Sequence, residues 1–319
     1  MILQQAATHS ALNPVGPNAE RVHRLFLFFL VVSVVVYAVV LVALLWAARR
    51  RRKAQEVDDA TRDAAAHRWV FGATAVTVAI LFVSLVYDLA LGRSLTYRES
   101  NVILSVRVIG HQWWWEVEYE DPIPQNRVHT ANELHVPVGV AVALKLESQD
   151  VIHSFWAPSI SGKKDLIPGH HNELYFRADT AGLYRVQCAE FCGLQHANMA
   201  MYVTAEPKEK FAAWLAAQRR PAPVPVDTLA QRGRLVFETA SCVTCHAITG
   251  TTAYGRIGPD LTHMASRTSL AAGTLTNTRG NLAGWIVDPQ RLKPGVLMPS
   301  NGLEPADLRA LLAYLGTLQ

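Results

Sequence analysis

Cys188-Ala-Glu-Phe-Cys192-Gly-Leu-Gln-His196-Ala-Asn-Met199 brings two thiols, an imidazole and a thioether into one short segment. Cys and Met are soft ligands and His is intermediate, a set that suits copper better than magnesium or calcium. A mononuclear copper electron-transfer site needs only one Cys, with two His and a weak axial Met. Two Cys four positions apart allow both thiolates to bridge two metal ions. The segment therefore predicts a copper site, with His153 as the best candidate for the second imidazole.

Two alternatives exist for this pair of cysteines, a disulfide and a structural zinc site. A disulfide at this spacing would close a very short loop and would leave His196 and Met199 without a role. Zinc is bound by four N, S or O ligands and does not need a thioether. Copper therefore accounts for more elements of the segment than either alternative does.

A second motif, Cys242-Val-Thr-Cys245-His246, has the pattern of covalent c-type haem attachment. In this pattern the two thiols bond to the haem vinyl groups, and His246 supplies an axial nitrogen. A zinc or thioredoxin-like interpretation would need a second Cys pair near this motif or a βαβ context, and neither accompanies it in the sequence. Met298, in Lys293-Pro-Gly-Val-Leu-Met298-Pro, is predicted to be the sixth ligand, with Met264 as its rival.

The N-terminal part of the chain predicts two membrane-spanning helices, at about residues 23–48 and 69–92. Both are apolar runs long enough, at about 1.5 Å per residue, to cross a hydrocarbon core. The basic block Arg49-Arg-Arg-Arg-Lys53 follows the first run and is expected on the cytoplasmic side. Residues 49–68 then form a cytoplasmic loop, and both ends of the hairpin lie outside.

The composition agrees with a membrane-attached protein. Of 319 residues, 50% are hydrophobic and only 18% are charged, which is more apolar than a wholly soluble chain needs. The net charge of +4 is modest, and much of it lies in the basic block, so no nucleic-acid partner is expected.

By composition and residue pattern, the chain divides into four parts. They are residues 1–98, the N-terminal segment and helical hairpin; residues 99–218, the copper domain; residues 219–226, a Pro-rich linker; and residues 227–319, the haem domain. Short β-branched segments between turns predict that the copper domain is an antiparallel sandwich or barrel. The haem motif lies between two helical patterns, Leu229–Thr239 and Glu304–Leu318.

Taken together, these motifs resemble cytochrome c oxidase subunit II of the type with a fused C-terminal cytochrome c. The resemblance implies a multidomain membrane protein: a two-helix transmembrane hairpin, a cupredoxin-like β sandwich or barrel and an all-α class I cytochrome c domain. It also implies the binuclear copper centre CuA. The ligands that the family uses correspond to His153, Cys188, Cys192, His196, Met199 and the backbone carbonyl of Glu190.

The resemblance assigns roles to three further residues. In the family, the aromatic residue at the position of Trp113 lies between copper and the incoming electron donor; a core or interface role is the alternative. The carboxylate of Glu190 is implied to bind magnesium at the contact with subunit I, against a loop glutamate that holds no metal. His170 stands where the family has an Arg that faces subunit I.

The function implied is that of the subunit through which electrons enter a haem–copper terminal oxidase. Electrons from a cytochrome c or a quinol–cytochrome c reductase would pass haem c and CuA to haem a of subunit I, which reduces O2 to water. No catalytic residue is expected in this chain, because neither site has an acid–base set. A copper-containing nitric oxide reductase stays open as the alternative, because the catalytic subunit is not in this sequence.

The implied location is the bacterial inner (plasma) membrane, with a multi-pass hairpin and both metal domains on the periplasmic side. Subunit I, subunit III and the lipid bilayer are the expected partners. A quinol oxidase subunit II lacks the copper ligands that this chain has, and nitrous-oxide reductase lacks the two helices.

Overall fold

The computed structural model describes residues 7–50, 59–95 and 102–319. The chain separates into two compact units. One is Glu20–Arg98, which holds two long helices, and the other joins Met1–Ala19 to Glu99–Gln319. Residues 51–53 of the basic block lie outside the described residues, so the structure says nothing about them.

The two long helices are α1, Pro17–Arg50, and α2, Asp59–Leu95. Both run beyond the predicted ranges of 23–48 and 69–92, because a helix continues into flanking polar residues once it has begun. In the part of the chain that the structure describes, they are the two helices long and apolar enough to cross a membrane. Their apolar side chains face outward rather than into a core; Val42, for example, is 67% exposed. A core helix would bury such a surface, so lipid is its expected solvent.

Ten strands form two five-stranded sheets in the copper domain. They are β1 Leu104–His111, β2 Trp114–Tyr119, β3 Val128–Ala131, β4 Glu133–Pro137, β5 Val142–Ser148, β6 His153–Trp156, β7 Lys163–Leu166, β8 Asn172–Phe176, β9 Gly182–Cys188 and β10 Ala200–Glu206. The strand orders are β3-β2-β1-β5-β8 and β4-β10-β9-β6-β7. Buried side chains from both sheets, such as Trp115, Leu144 and Met201, fill one core. Helix α3, Lys208–Gln218, follows the last strand.

The predicted antiparallel arrangement is wrong for two strand pairs of the described sheets. β1 pairs with β5 in parallel, and β4 pairs with β10 in parallel. Parallel neighbours need a long connection, and in both pairs several other strands intervene along the chain. Short β-branched segments do not carry this information, because they show which strands exist and not which strands pair.

The haem domain is mainly helical. Its elements are α4 Thr228–Thr239, α5 Cys242–Cys245, a two-stranded hairpin of β11 Ser269–Leu270 and β12 Leu275–Thr276, α6 Arg279–Val287, α7 Pro289–Leu292 and α8 Pro305–Leu315. Asp227 caps α4 by accepting a hydrogen bond from the N–H of Ala230, which satisfies one of the free donors at that helix end. Helices α4 and α8 cross closely at Gly233, where an added Cβ would lie 1.9 Å from the carbonyl oxygen of Ala310. This crossing positions α4, and the haem motif follows the end of that helix.

Candidate metal centres

The sandwich brings the predicted copper ligands together from two strand ends. Alternation along β9 turns Tyr184, Val186 and Cys188 toward the core. Cys188 ends that strand and lies opposite Phe155 of β6. His153, two positions before Phe155, therefore points to the same side of the sheet as Phe155 does.

The loop that carries the other ligands is closed at its base. The N–H of Cys188 donates to the carbonyl oxygen of Met199 at 3.0 Å, and Ala200 then pairs with Gln187 as β10 begins. The loop from Ala189 to Asn198 is thus the connection of a β hairpin anchored in both strands. A loop held in this way keeps its ligands in place between redox states.

The two sulfur atoms and the other four predicted copper donors lie at short range from one another. The distances are 3.8 Å between Cys188 Sγ and Cys192 Sγ, 3.9 Å from Cys188 Sγ to His153 Nδ1, 3.3 Å from Cys188 Sγ to the Glu190 carbonyl oxygen, 3.6 Å from Cys192 Sγ to His196 Nδ1, and 3.9 Å from Cys192 Sγ to Met199 Sδ. Each sulfur thus faces one imidazole and the other sulfur of the pair. His153, Cys188 and Cys192 form a buried metal-binding cluster.

The spacing of these donors fits metal and does not fit a disulfide. A disulfide would bring the sulfur atoms to about 2.05 Å. Donors bound at ~2.0–2.3 Å around one tetrahedral ion lie roughly 3.3–3.8 Å apart, close to the 3.3–3.9 Å seen here. The set of two thiols, two imidazoles, a thioether and a carbonyl is soft and suits copper.

The two thiols are unequal before metal binds. A hydrogen bond from Cys192 lowers the pKa of Cys188, against the effect of burial and with help from His153. The same pairing and burial raise the pKa of Cys192. Cys188 is therefore the thiol of the pair that loses its proton more readily. Binding of a metal by both sulfurs requires both as thiolates and so releases their protons.

Asp150 orients the upstream imidazole, and the motif analysis missed it. His153 turns Nδ1 toward Cys188 and holds Nε2 2.8 Å from Asp150 Oδ1. Burial acts to raise the pKa of Asp150, but hydrogen bonds from His153 and from the backbone N–H groups of Val151 and Gln112 hold it below its ordinary value. Burial also acts to lower the pKa of His153, and the contacts with Asp150 and Cys188 outweigh it. An acidic residue three positions before the histidine was the available signal.

Trp113 lies against the copper loop, and its tryptophan neighbours do not share that position. Its indole Nε1 donates to the carbonyl oxygen of Cys192 at 2.9 Å, and the side chain is buried. Trp114 instead stacks on His111, and Trp115 is in the sandwich core. The role of Trp113 in electron transfer stays a prediction, as does a role for the carboxylate of Glu190.

The haem motif has the geometry expected of a proximal ligand. His246 Nδ1 donates to the carbonyl oxygen of Pro259 at 2.7 Å, which leaves Nε2 as the nitrogen available to iron. Burial lowers the pKa of His246, and this favours the neutral imidazole that binds metal. A Cβ on Gly258 would lie 2.6 Å from this ring, so only glycine lets the loop pack against it. Cys242 and Cys245 are half-buried on α5, one helical turn apart.

The two candidates for the sixth haem ligand lie in different surroundings. Met264 is almost fully buried in the core of the haem domain. Met298 is partly buried against that core, on a loop that Gln290 fastens through the carbonyl oxygens of Val296 and Met298, at 2.7 and 2.8 Å. The assignment of Met298 stays a prediction.

Two family models match the chain. Residues 124–206 match the model described as cytochrome c oxidase subunit II, periplasmic domain, and residues 230–319 match the model described as cytochrome c. The first domain implies copper and the second implies haem, in agreement with the two donor sets. Together with the two exposed apolar helices, the matches confirm the predicted fold class.

Curated relatives of this chain are named cytochrome c oxidase subunit 2. The chain is 40% identical over 216 residues to cytochrome c oxidase subunit 2 of Alkalihalophilus pseudofirmus, an alignment that covers 67% of this chain and 61% of that protein. It is 31% identical over 233 residues to the Bacillus subtilis protein of that name, covering 70% of this chain and 64% of the relative. The chain thus spans less than two thirds of the length of these relatives.

A solved structure gives a weaker match. The periplasmic domain of subunit II of cytochrome oxidase from Bradyrhizobium japonicum is 28% identical, with a TM-score of 0.35, and the match covers 37% of this chain and 94% of that one. At that TM-score the likeness adds nothing to what the sequence matches show.

Proposed function

Because this chain belongs to the cytochrome c oxidase subunit II family, we propose that it is the subunit through which electrons enter a haem–copper terminal oxidase. Electrons pass from a cytochrome c donor through haem c and binuclear CuA to haem a of subunit I, where O2 is reduced to water. One observation carries the proposal: a buried cluster of two thiols and one imidazole, with the half-buried imidazole of His196 beside it, lies in the same chain as a c-type haem motif.

The chain's own residues hold the two redox groups and keep them from reorganising. The copper donors are the side chains of His153, Cys188, Cys192, His196 and Met199 with the carbonyl of Glu190. The haem is held by Cys242, Cys245, His246 and Met298. When bound, both groups supply one-electron redox chemistry. The hairpin base at Cys188 and the carboxylate of Asp150 restrict ligand movement, and such support tunes affinity and potential.

Two further residues have proposed roles at the copper centre. Trp113 lies on the side of the copper loop from which electrons arrive, and its hydrogen bond to the carbonyl of Cys192 links it to a ligand. Glu190 offers its carbonyl to copper and its carboxylate to a magnesium ion shared with subunit I. Metal analysis of the intact complex tests this last assignment, and an absence of magnesium would count against it.

We also propose a location and partners that follow from the family. The protein crosses the bacterial inner membrane twice and holds both metal domains on the periplasmic side. The outward-facing apolar surfaces of α1 and α2 and the basic block after α1 support this arrangement. Subunit I, subunit III and a cytochrome c or quinol–cytochrome c reductase are its partners.

The test of this function uses the purified full chain and its complex. The native protein should contain two copper ions and show the visible and near-infrared bands of mixed-valence binuclear copper. Cys188→Ser should abolish those bands and leave the haem bands, because one bridging sulfur is lost while α5 is untouched. Met201→Leu removes a buried sulfur two positions beyond Met199 and is the matched control, expected to keep both spectra.

Two outcomes would overturn the assignment. If Cys188→Ser keeps the copper spectrum, the ligand set is wrong. If the folded native chain binds one copper ion or none, the binuclear site is wrong. Comparing consumption of oxygen and of nitric oxide by the copurified complex separates the terminal oxidase from the nitric oxide reductase.

A further inference from the structure

The haem domain contacts the copper loop directly, through two of its segments. One is the segment from Lys293 to Val296, which leads to Met298, and the other is the turn from Ala271 to Thr274. On the copper side the contact involves Trp113 and the loop from Leu194 to Ala200. Both domains belong to one compact unit.

Lys293 is at the centre of this contact and is 1% exposed. Its ammonium group donates to three carbonyl oxygens: that of Trp113 at 2.9 Å, that of Asn198 at 2.8 Å and that of Ala271 at 3.0 Å. The first two belong to the copper domain and the third to the haem domain. An ammonium group has three N–H bonds, so each one finds an acceptor. Lysine is rarely this buried, and a buried amine without acceptors would be costly.

Further hydrogen bonds join the same two surfaces. The N–H of Ala200 donates to the carbonyl oxygen of Ala272 at 3.0 Å. The hydroxyl of Thr274, which donates to the carbonyl oxygen of Ala271 at 2.7 Å, also lies 3.3 Å from the carbonyl oxygen of Asn198. The amide of Gln195 donates to the carbonyl oxygen of Pro294 at 2.8 Å. The contact is therefore a network of backbone and side-chain hydrogen bonds rather than an apolar patch.

The turn that meets the copper loop has an unfavourable backbone. Ala271 and Ala272 have φ angles of 51° and 57°, in the left-handed region, which is unfavourable for a residue with a Cβ. Their carbonyl oxygens are the ones that accept from Lys293 and Ala200. Such conformations persist where the surrounding contacts hold them: Lys293 of the same domain holds Ala271, and Ala200 of the copper domain holds Ala272.

The same contact links the haem-ligand loop to a copper ligand. Trp113 donates from its indole nitrogen to the carbonyl of Cys192. On the other side, a Cβ on Gly295 would lie 3.5 Å from the same indole, so the haem-domain backbone packs on the ring. Gly295 is three positions before Met298.

We propose that Lys293 is a latch that fixes the fused haem domain on the copper loop, with Trp113 enclosed in the contact. This face of the copper centre is then already occupied, so a donor from outside delivers its electron to the haem and not to copper directly. The role of Lys293 in docking is argued from the contacts above. Its consequence for electron delivery rests on the proposed function. Lys293 is a positioning residue, since it acts through the placement of the two domains.

Amide hydrogen exchange of the metal-loaded full chain in detergent tests the latch without reference to electron transfer. The amide of Ala200 has its acceptor in the haem domain and reports docking, whereas that of Val138 donates to Glu206 within the copper domain and serves as an internal reference. In the native protein both should be protected. Lys293→Met should lower protection at Ala200 by about tenfold or more, because three carbonyls lose their donor, and should leave Val138 unchanged. Arg291→Met removes a positive charge from an exposed position of α7, two residues before Lys293, and should behave like the native protein.

Two results would overturn the latch. The first is an Ala200 amide that exchanges, in the native protein, as fast as an unstructured amide. This measurement needs no variant, so it decides the question even if Lys293→Met does not fold. The second is a Lys293→Met protein with intact haem bands and copper content whose Ala200 protection is unchanged.

The rate of electron transfer from haem to copper after flash reduction tests the consequence separately. The native protein and Arg291→Met should show one fast phase that does not depend on salt or protein concentration, whereas Lys293→Met should be slower by about tenfold or more. If Lys293→Met loses Ala200 protection but still transfers electrons fast, the positioning role is contradicted and the proposed function is not. If Ala200 is protected in the native protein but no electron reaches copper, the proposed function is contradicted and the latch is not.

Discussion

Among single residues, Asp150 controls the copper centre without being a ligand. Its carboxylate holds Nε2 of His153 and so leaves Nδ1 facing the sulfur pair. Asp150→Asn should lower copper affinity by about 10–100-fold, because the amide is a weaker acceptor and also offers a donor that allows the wrong tautomer. Competitive copper titration against a chelator measures this.

A second carboxylate on the same sandwich provides the control for Asp150. Asp179 pairs with Arg177 at an exposed site, and Asp179→Asn should leave copper affinity unchanged. Equal affinities in the native protein and Asp150→Asn would show that the ring of His153 is held by packing alone.

The sixth haem ligand is tested by the haem potential. Thioether ligation raises the potential, so Met298→Ala should lower it by ~0.1 V or more, within the ~0.8 V that axial ligation spans. Redox titration of the haem bands measures this, with copper content as the check that the other centre is intact. An unchanged potential would transfer the assignment to Met264.

Residue types at short spacings were the predictable part of both sites. Cys188, Cys192, His196 and Met199 lie within one loop, so their proximity needs no knowledge of the fold. Asp150 left only a weak signal, its spacing of three positions from His153, and Lys293 left none, because their roles depend on which imidazole or carbonyl the fold brings to them. A buried lysine in particular looks like any surface lysine until its acceptors are known.

Among the elements, the crossing of α4 and α8 depends on Gly233. Gly233→Ala places a methyl group against the backbone of α8, where the added Cβ would lie 1.9 Å from an oxygen that no rotamer can move. We expect the free energy of unfolding of the haem domain to fall by about 1–3 kcal/mol, as overpacking of a core does. Denaturant unfolding followed by the haem bands measures it.

A glycine in another helix of the haem domain separates packing from helix propensity. A Cβ on Gly280 of α6 would meet nothing within 4 Å. Gly280→Ala should therefore leave stability unchanged or raise it by no more than about 1 kcal/mol. Similar losses in both variants would mean that the crossing of α4 and α8 is not the cause.

Element types were predictable where a local pattern decides them. The helical patterns at Leu229–Thr239 and Glu304–Leu318 are properties of short segments, and they predicted α4 and α8 nearly to their ends. Pairing was not predictable, because the parallel contacts of β1 with β5 and of β4 with β10 join strands far apart in the chain.

For the whole molecule, the linker is hydrogen-bonded to both domains rather than free. Arg219 donates to the carboxylate of Asp121 at 3.1 Å in the copper domain, and the N–H of Ala222 donates to the carbonyl of Thr249 at 2.9 Å in the haem domain. A Pro-rich segment of this kind extends ~3.1 Å per residue and predicts reach but not position. The docked placement comes from the contacts around Lys293, which no local pattern encodes.

The direction of the helical hairpin is the last property of the whole molecule that can be tested. The basic block from Arg49 onward is costly to translocate, so residues 49–68 are expected on the cytoplasmic side. Trypsin added to intact spheroplasts should leave this loop uncut, whereas trypsin added to inverted vesicles should cut it and release a fragment that carries α1. A cytoplasmic marker enzyme, resistant in spheroplasts, controls for leakage. Cleavage within 49–68 from the outside would reverse the hairpin, and with it the periplasmic placement of both metal domains.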